Sequence, residues 1–481
     1  MADEQGREDR DLLWFERDAP ARVAEDGPDP LGQRLAWRTL KAALAGYEPP
    51  ACVALYGPWG SGKTTLLRSA FEAFEGPKVW FDPWQYAQTG DVRVALLGAI
   101  AQGLGLKKDS KGWEAVKSIG KALGSFAFRA GLGAVFGRQL LPELENAGAA
   151  GFKVEDAAAY FPGKAVVDAV QAVKTGFKAL VDEALEDAAL EGKGPTVVEE
   201  KGPTPRVLIC LDDLDRCLPA DVVALIEAVK LLLVGDEGCR AVFAFALDRQ
   251  IVGEAIRQQY PGASRYTGEN YLEKVFDLSL EVPPVRGSEA LTEHLSAAVA
   301  RVPLLNQMDA EGNPVPLVFG DPTELSRALA SPALGNPRVL KRALNRLVLL
   351  QANPAVHKRL MLLADVDAEV RVRLLAWLAA TERFRDFRHF LRRATEDEIK
   401  TLDHGVVRLR NPDRSGAPPL TGEMTGFLDT PGFVELYNLV FQPLGIVAER
   451  AVNWTELSKV TQAGQIMTVG SFDALMRAAG L

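Results

Sequence analysis

Apolar positions along the chain come in two textures. Short unbroken runs, Ala51-Cys-Val-Ala-Leu-Tyr56, Val207-Leu-Ile-Cys-Leu211 and Arg240-Ala-Val-Phe-Ala-Phe-Ala-Leu247, have the length of strands buried on both faces. Val79-Trp-Phe81 is a further such run, stopped by Pro83. Between these runs apolar residues recur at helical spacing. Leu31, Leu35, Leu40 and Leu44 predict an amphipathic helix before the first strand, and further helices are expected over 63–74, 92–104 and 220–234. Strands alternating with helices predict a parallel sheet covered on both sides.

From about 106 to 191 small residues dominate and helical spacing persists without strand-like runs, ending in the Gly/Pro/charge-rich connector 192–205. Beyond Asn336-Pro337 the pattern is almost wholly helical to about Leu402, and the residues after 421 mix turns with short apolar runs that assign no element. The expected organisation is a lead-in (1–30), a first core segment (31–105), a helical insert with linker (106–205), a second core segment (206–350) and a helical lid with C-terminal extension (351–481).

Composition narrows the class. With 481 residues, 47% apolar and 25% charged, the chain has the make-up of a globular protein of several folding units rather than a disordered or fibrous one. Its longest stretch free of Asp, Glu, Lys and Arg is Pro49–Gly62, 14 residues, short of a spanning helix. The net charge of −9 repels bulk nucleic acid, so such binding needs a local basic face. Four cysteines without a CxxC pair suit a reducing compartment, and the acidic N-terminus shows no apolar leader, so a cytoplasmic location is expected.

Candidate chemistry begins at Gly57-Pro58-Trp59-Gly60-Ser61-Gly62-Lys63-Thr64-Thr65, which fits the phosphate-loop pattern G-x-x-x-x-G-K-[ST] between a strand and a helix. Its glycines let backbone N–H groups converge on phosphate oxygens at a positive helix end. Lys63 would reach the β- and γ-phosphates and the Thr64 hydroxyl would ligate Mg²⁺. The run Leu211-Asp212-Asp213-Leu-Asp215-Arg216 places acids at the carboxyl edge of a strand, where α/β proteins bind ligands. Asp212 is the candidate for holding Mg²⁺ and Asp213 for orienting or deprotonating an attacking water. The alternative for strand-terminal aspartates is capping of the helix that begins near Ala220, which Asp215 fits. Asp248, closing the Arg240–Leu247 strand, either points at the γ-phosphate or is a solvated turn acid. Arg338 heads a helix and either reaches a phosphate from a lid or is an ordinary exposed arginine.

Taken together these motifs resemble those of the KAP P-loop NTPases, a branch of the additional-strand catalytic-acid class. The resemblance rests on the phosphate loop, Trp80-Phe-Asp-Pro-Trp-Gln-Tyr86, Leu211-Asp-Asp-Leu-Asp-Arg-Cys217, Phe245-Ala-Leu-Asp-Arg249, Tyr271-Leu-Glu-Lys-Val275 with Pro283-Pro284, and Asn336-Pro-Arg-Val-Leu-Lys341. It implies an α/β P-loop NTPase fold with ATP as substrate, Mg²⁺ as cofactor and Asp213 as catalytic acid/base. It also implies Arg338 as a sensor arginine, with Arg216 and Lys274 as electrostatic parts. Members are associated with assembling complexes at membranes and, in bacteria, with excluding phage; self-association or a protein partner is expected.

In this family the insert usually carries transmembrane helices. Here it is broken by charge, and 107–138 holds seven basic residues against Asp109 and Glu114. It reads as a solvated helical subdomain or, alternatively, as a basic face peripheral to an anionic membrane on its inner side. In Glu382-Arg-Phe384-Arg-Asp-Phe387-Arg-His-Phe390-Leu-Arg392-Arg393, phenylalanines stand three apart between arginines. An apolar stripe facing core is the usual meaning of that spacing, and nucleic-acid or acidic-partner binding the alternative. The leading expectation is ATP hydrolysis coupled to conformational change or complex assembly. The alternatives are a nucleotide-gated scaffold with little turnover and a nucleic-acid-handling motor.

Overall fold

The computed structural model describes residues 22–26, 29, 31–86, 91–106, 110, 112, 114, 164–191, 204–233, 238–259, 268–285, 307–308, 314–315, 336–352 and discontinuous pieces between 378 and 437. These fall into two compact units, one built on Arg34–Pro283 with Pro20–Ala24, the other containing Glu25–Gln33 and the chain from Pro284 onward.

The first unit begins with helix α1 (Arg34–Gly46), strand β1 (Ala51–Tyr56), helix α2 (Lys63–Glu72), strand β2 (Lys78–Phe81) and helix α3 (Val92–Gly103). It continues with α4 (Lys164–Leu190), β3 (Val207–Leu211), α5 (Pro219–Leu233), β4 (Ala241–Leu247), α6 (Arg249–Gln259), α7 (Gly268–Val275) and β5 (Leu278–Glu281). The strands form one sheet in the order β2-β3-β4-β1-β5, every pair parallel. β4 therefore lies between the strand that feeds the phosphate loop and the strand that ends in the aspartates, the additional-strand arrangement.

The register explains why the central strands are apolar throughout. Cys52, Ala54 and Tyr56 of β1 with Val207, Ile209 and Leu211 of β3 face one core, while Ala51, Val53 and Leu55 with Leu208 and Cys210 face the other. Successive side chains alternate faces, so a strand covered on both sides must be apolar at every position. Trp37, Leu40 and Leu44 of α1 with Leu66, Leu67 and Ala70 of α2 cover one side. Helices α3 to α7 supply the other.

Helix α4, the described part of the insert, belongs to that second layer. Val173, Phe177, Leu180 and Val181 are fully buried, the Phe177 ring lies 5.9 Å from that of Phe243 in β4, and Asp182 pairs with Arg240 at 2.9 Å. The Gly112 N–H also donates to Glu183 of α4 at 2.6 Å. The proposed membrane face 107–138 lies outside the described residues apart from Ser110, Gly112 and Glu114. Among the described residues no helix is long and apolar enough to cross a membrane.

Two expectations need correction. In α1, Leu35 is 76% exposed, and the buried stripe runs through Trp37, Leu40 and Leu44 instead. The spacing 37, 40, 44 keeps one helical face, whereas 35 points elsewhere and 31 precedes the helix. Strand β5 was not expected. Its four residues alternate between partly buried and exposed at the sheet edge, and so short a pattern leaves little periodic signal.

In the second unit the described elements are the short antiparallel pair β6 (Gln307–Met308) and β7 (Pro314–Val315), and helices α8 (Pro337–Ala352), α9 (Arg385–Arg393) and α10 (Gly422–Asp429). Phe387 and Phe390 of α9 are buried against Phe427 of α10, and Phe387 also against Phe433 and Tyr437, with ring centroids 4.9 to 6.1 Å apart. The phenylalanine stripe is therefore core, and Arg393 of the cationic side pairs with Glu423.

Candidate nucleotide site

Because all five strands run parallel, their carboxyl ends share one edge, and the motifs that follow β1, β2, β3 and β4 meet there. Gly57 leaves β1 with its N–H on the Leu247 carbonyl of β4 at 3.3 Å. A side chain at Gly57 would place its Cβ 2.5 Å from Ser61 Oγ and 3.2 Å from Val282, so only glycine lets the loop close on itself. Gly60 and Gly62 take φ of 85° and 105°, conformations that other residues rarely hold. Gly62 is also the N-cap of α2 and offers no side-chain cap, which leaves the first-turn N–H groups of α2 to an anion.

Lys63 folds back over this loop. Its ammonium donates to the carbonyls of Gly57 at 2.9 Å and Pro58 at 3.4 Å, and to Asp215 Oδ2 at 3.5 Å. Thr64, the next residue, lies close enough to lower the pKa of Asp212, whose carboxylate accepts the Asp213 N–H at 3.0 Å. Asp212 is 4% exposed and its backbone is tied to the β2 end through Phe81 O at 3.1 Å. Burial, then the adjacent Asp213 charge, push its pKa up from 3.8 to about 6 against the opposing pull of Thr64, the Asp213 N–H and Lys63.

Asp213 is the one non-glycine residue with positive φ among the described residues, at 57°. It turns the chain into a short 3₁₀ segment, Leu214–Arg216. Side chains three apart eclipse in such a turn. That spacing brings Arg216 back to Asp213, the residue that caps the turn. Arg216 accordingly pairs with Asp213 at 3.1 Å, and its guanidinium lies 5.7 Å from the Trp84 ring centroid in the segment after β2. Burial raises the Asp213 pKa, the Arg216 charge lowers it, and Asp82 and Asp215 raise it again.

The remaining expected residues fall as follows. Asp248 caps α6, its Oδ1 accepting from Gln250 N at 3.0 Å and Ile251 N at 3.4 Å. It stands at the site edge, as the strand order requires, with that oxygen engaged locally. Pro58, Trp59, Ser61 and Thr65 lie in the loop and first turn of α2, Trp59 nearly half exposed. Arg338 occupies the first turn of α8 in the second unit, its N–H on Asn336 Oδ1 at 3.0 Å. The sequence reading missed Asp215, which it assigned to helix capping; its carboxylate turns to Lys63 instead. No sequence pattern places Asp215 there, because the left-handed turn at Asp213 that redirects the chain is set by the structure. The sequence reading also missed Asp82 as a charge that acts on Asp213 and Trp84 as the ring beside Arg216.

A Mg²⁺ ion takes hard oxygen donors, commonly one or two from protein. The Thr64 hydroxyl and the Asp212 carboxylate meet that chemistry, and a cation would relieve a buried acid that has a second acid beside it. The donor set fits.

A family model described as the KAP family P-loop domain matches residues 38–353, about two thirds of the chain. The chain belongs to the KAP family. No curated protein matches it in sequence. Among solved structures this KAP chain is similar to the ORC2 protein of Aeropyrum pernix, at 11% identity over 98% of both chains with a TM-score of 0.31. It is also similar to the Walker-type ATPase PABY2304 of Pyrococcus abyssi, at 12% identity over 96% of this chain and 99% of that one, TM-score 0.35. For Cdc6p from Pyrobaculum aerophilum the figures are 12% identity, 96% of each chain and 0.35. Likenesses this distant carry no argument about partners or activity. The KAP assignment rests on the family match, and the strand order agrees with it.

Proposed function

We propose that this KAP protein binds ATP and hydrolyses it with Mg²⁺, coupling turnover to a change of conformation or to assembly of a complex. The observation that carries the reading is the convergence of Lys63, Thr64, Asp212 and Asp213 at one sheet edge, where Thr64 and Lys63 both lower the pKa of the buried Asp212. In this reading the N–H groups of Gly60 to Thr65 grip the phosphates and Lys63 neutralises the β–γ oxygens. Thr64 and Asp212 would hold Mg²⁺, which supplies charge compensation on those oxygens when bound. Asp213 orients the attacking water and accepts its proton, a role that suits a carboxylate whose pKa burial has raised. Asp248 is assigned a supporting role toward the γ-phosphate, and Arg338 that of a sensor arginine.

A phosphate-release assay on wild type and Lys63→Ala tests the reading. Wild type should release phosphate with Mg²⁺ and the variant should fall to background. Calorimetry that registers no nucleotide binding by folded wild-type protein would refute it. The ion pairs that hold Lys63 and Asp213 favour a second reading, a nucleotide-gated scaffold with little turnover. Asp213→Asn separates the two, since a scaffold keeps its biological effect while an enzyme loses it. Size-exclusion chromatography with and without ATP tests self-association, and plaque counts with Lys63→Ala test the defence role that the family association suggests.

A further inference from the structure

The ammonium of Lys63 and the carboxylate of Asp215 face each other with 8% and 3% of their side chains exposed, 3.5 Å apart. The three donors of Lys63 are occupied by Gly57, Pro58 and Asp215, so the lysine is satisfied without any phosphate. Asp215 is not a loose surface acid that drifts to a lysine. The left-handed Asp213 starts its turn, and the bonds Arg216 N–H to Asp213 O (3.2 Å) and Cys217 N–H to Leu214 O (3.1 Å) hold it.

Resting on the nucleotide-site reading, we propose that Asp215 is a built-in stand-in for phosphate, a positioning residue that holds Lys63 between turnovers and sets nucleotide affinity by competing for it. A phosphate that takes Lys63 must displace this contact. It leaves a buried carboxylate facing the incoming anion, and like charges at close range repel. Asp215 therefore stabilises the nucleotide-free site more than the occupied one, which weakens binding and hastens product release. The carboxylate that opposes binding is distinct from Asp212, which accepts the Asp213 N–H, and from Asp213, which pairs with Arg216.

The test compares wild type with Asp215→Asn in full-length protein, measuring Mg·ATP and Mg·ADP dissociation constants and melting temperatures with and without ADP. Failure of wild type to bind either nucleotide refutes the nucleotide site itself, whatever the variant does. With binding established, Asp215→Asn should tighten both nucleotides by about tenfold, equivalent to about 1.4 kcal/mol. KM should fall, the melting temperature without ligand should fall, and the rise caused by ADP should exceed that of wild type. A purely structural role would lower both melting temperatures alike and leave affinity unchanged; that result, or weaker binding, overturns the proposal. Asp215→Glu, which keeps the charge, should stay close to wild type. A variant that folds only with ADP present supports the proposal, and one that folds under neither condition overturns it.

Discussion

Asp212 gives the sharpest quantitative prediction, because its burial and its charge act in opposite directions on stability and function. Its pKa rises from 3.8 to about 6 on folding, mainly through loss of water and then through the Asp213 charge. At 1.36 kcal/mol per pH unit that interval corresponds to a cost of about 3 kcal/mol for keeping the ionised group in the ligand-free fold. The sign follows from proton counts. Between 3.8 and about 6 the folded state binds more protons than the unfolded one, so stability falls as pH rises through that window. Below the window the cost is absent; above it the cost is complete. Asp212→Asn removes the charge while its amide oxygen can still accept the Asp213 N–H. The variant should therefore melt higher than wild type at pH 7.5 in EDTA without nucleotide. At roughly 2–4 °C per kcal/mol for a unit of this size, the ceiling is a rise of about 10 °C. The difference should shrink as the pH is lowered toward 4. Added Mg²⁺ and ATP should raise the wild-type melting temperature and leave that of the variant nearly unmoved. Thermal melts of both proteins across pH 4–8 provide the measurement. A variant less stable than wild type at pH 7.5, or a difference that does not change with pH, would refute the reasoning.

Asp213→Asn should lower kcat by about 10²–10⁴-fold while ATP affinity stays within about threefold, measured by phosphate release beside equilibrium binding. Gly268→Ala should destabilise the first unit by about 2–4 kcal/mol, because its Cβ would stand 2.3 Å from the Gly253 carbonyl and force α6 and α7 apart; denaturant unfolding reads this. Phe387→Ala should cost about 3–5 kcal/mol in the second unit, since Phe387 is 1% exposed and packs on Phe427, Phe433 and Tyr437. Near-UV circular dichroism and limited proteolysis should report that loss while ATP binding by the first unit persists.

The three central strands of the main sheet are legible as apolar runs, because a parallel strand buried on both faces needs an apolar residue at every position, and the edge strand β2 shows only as the short run Val79-Trp-Phe81. The phosphate loop is legible for a related reason. Glycines at 57, 60 and 62 are demanded by close approach and positive φ, a local requirement that leaves its mark in consecutive residues. The edge strand β5 is not legible, since four half-exposed residues satisfy no strong pattern. Leu35 misleads because an apolar residue costs little on a surface, so helical spacing counts it when the core does not.

The order of elements and the identity of Lys63, Thr64, Asp212 and Asp213 as candidates follow from the chain read residue by residue. Which charges neutralise one another does not. The pairing of Lys63 with Asp215 joins residues 152 positions apart, brought together because β1 and β3, on either side of β4, end at the same sheet edge and a 3₁₀ turn follows β3. Charge pairing depends on distance in space, and only the packed sheet sets that distance.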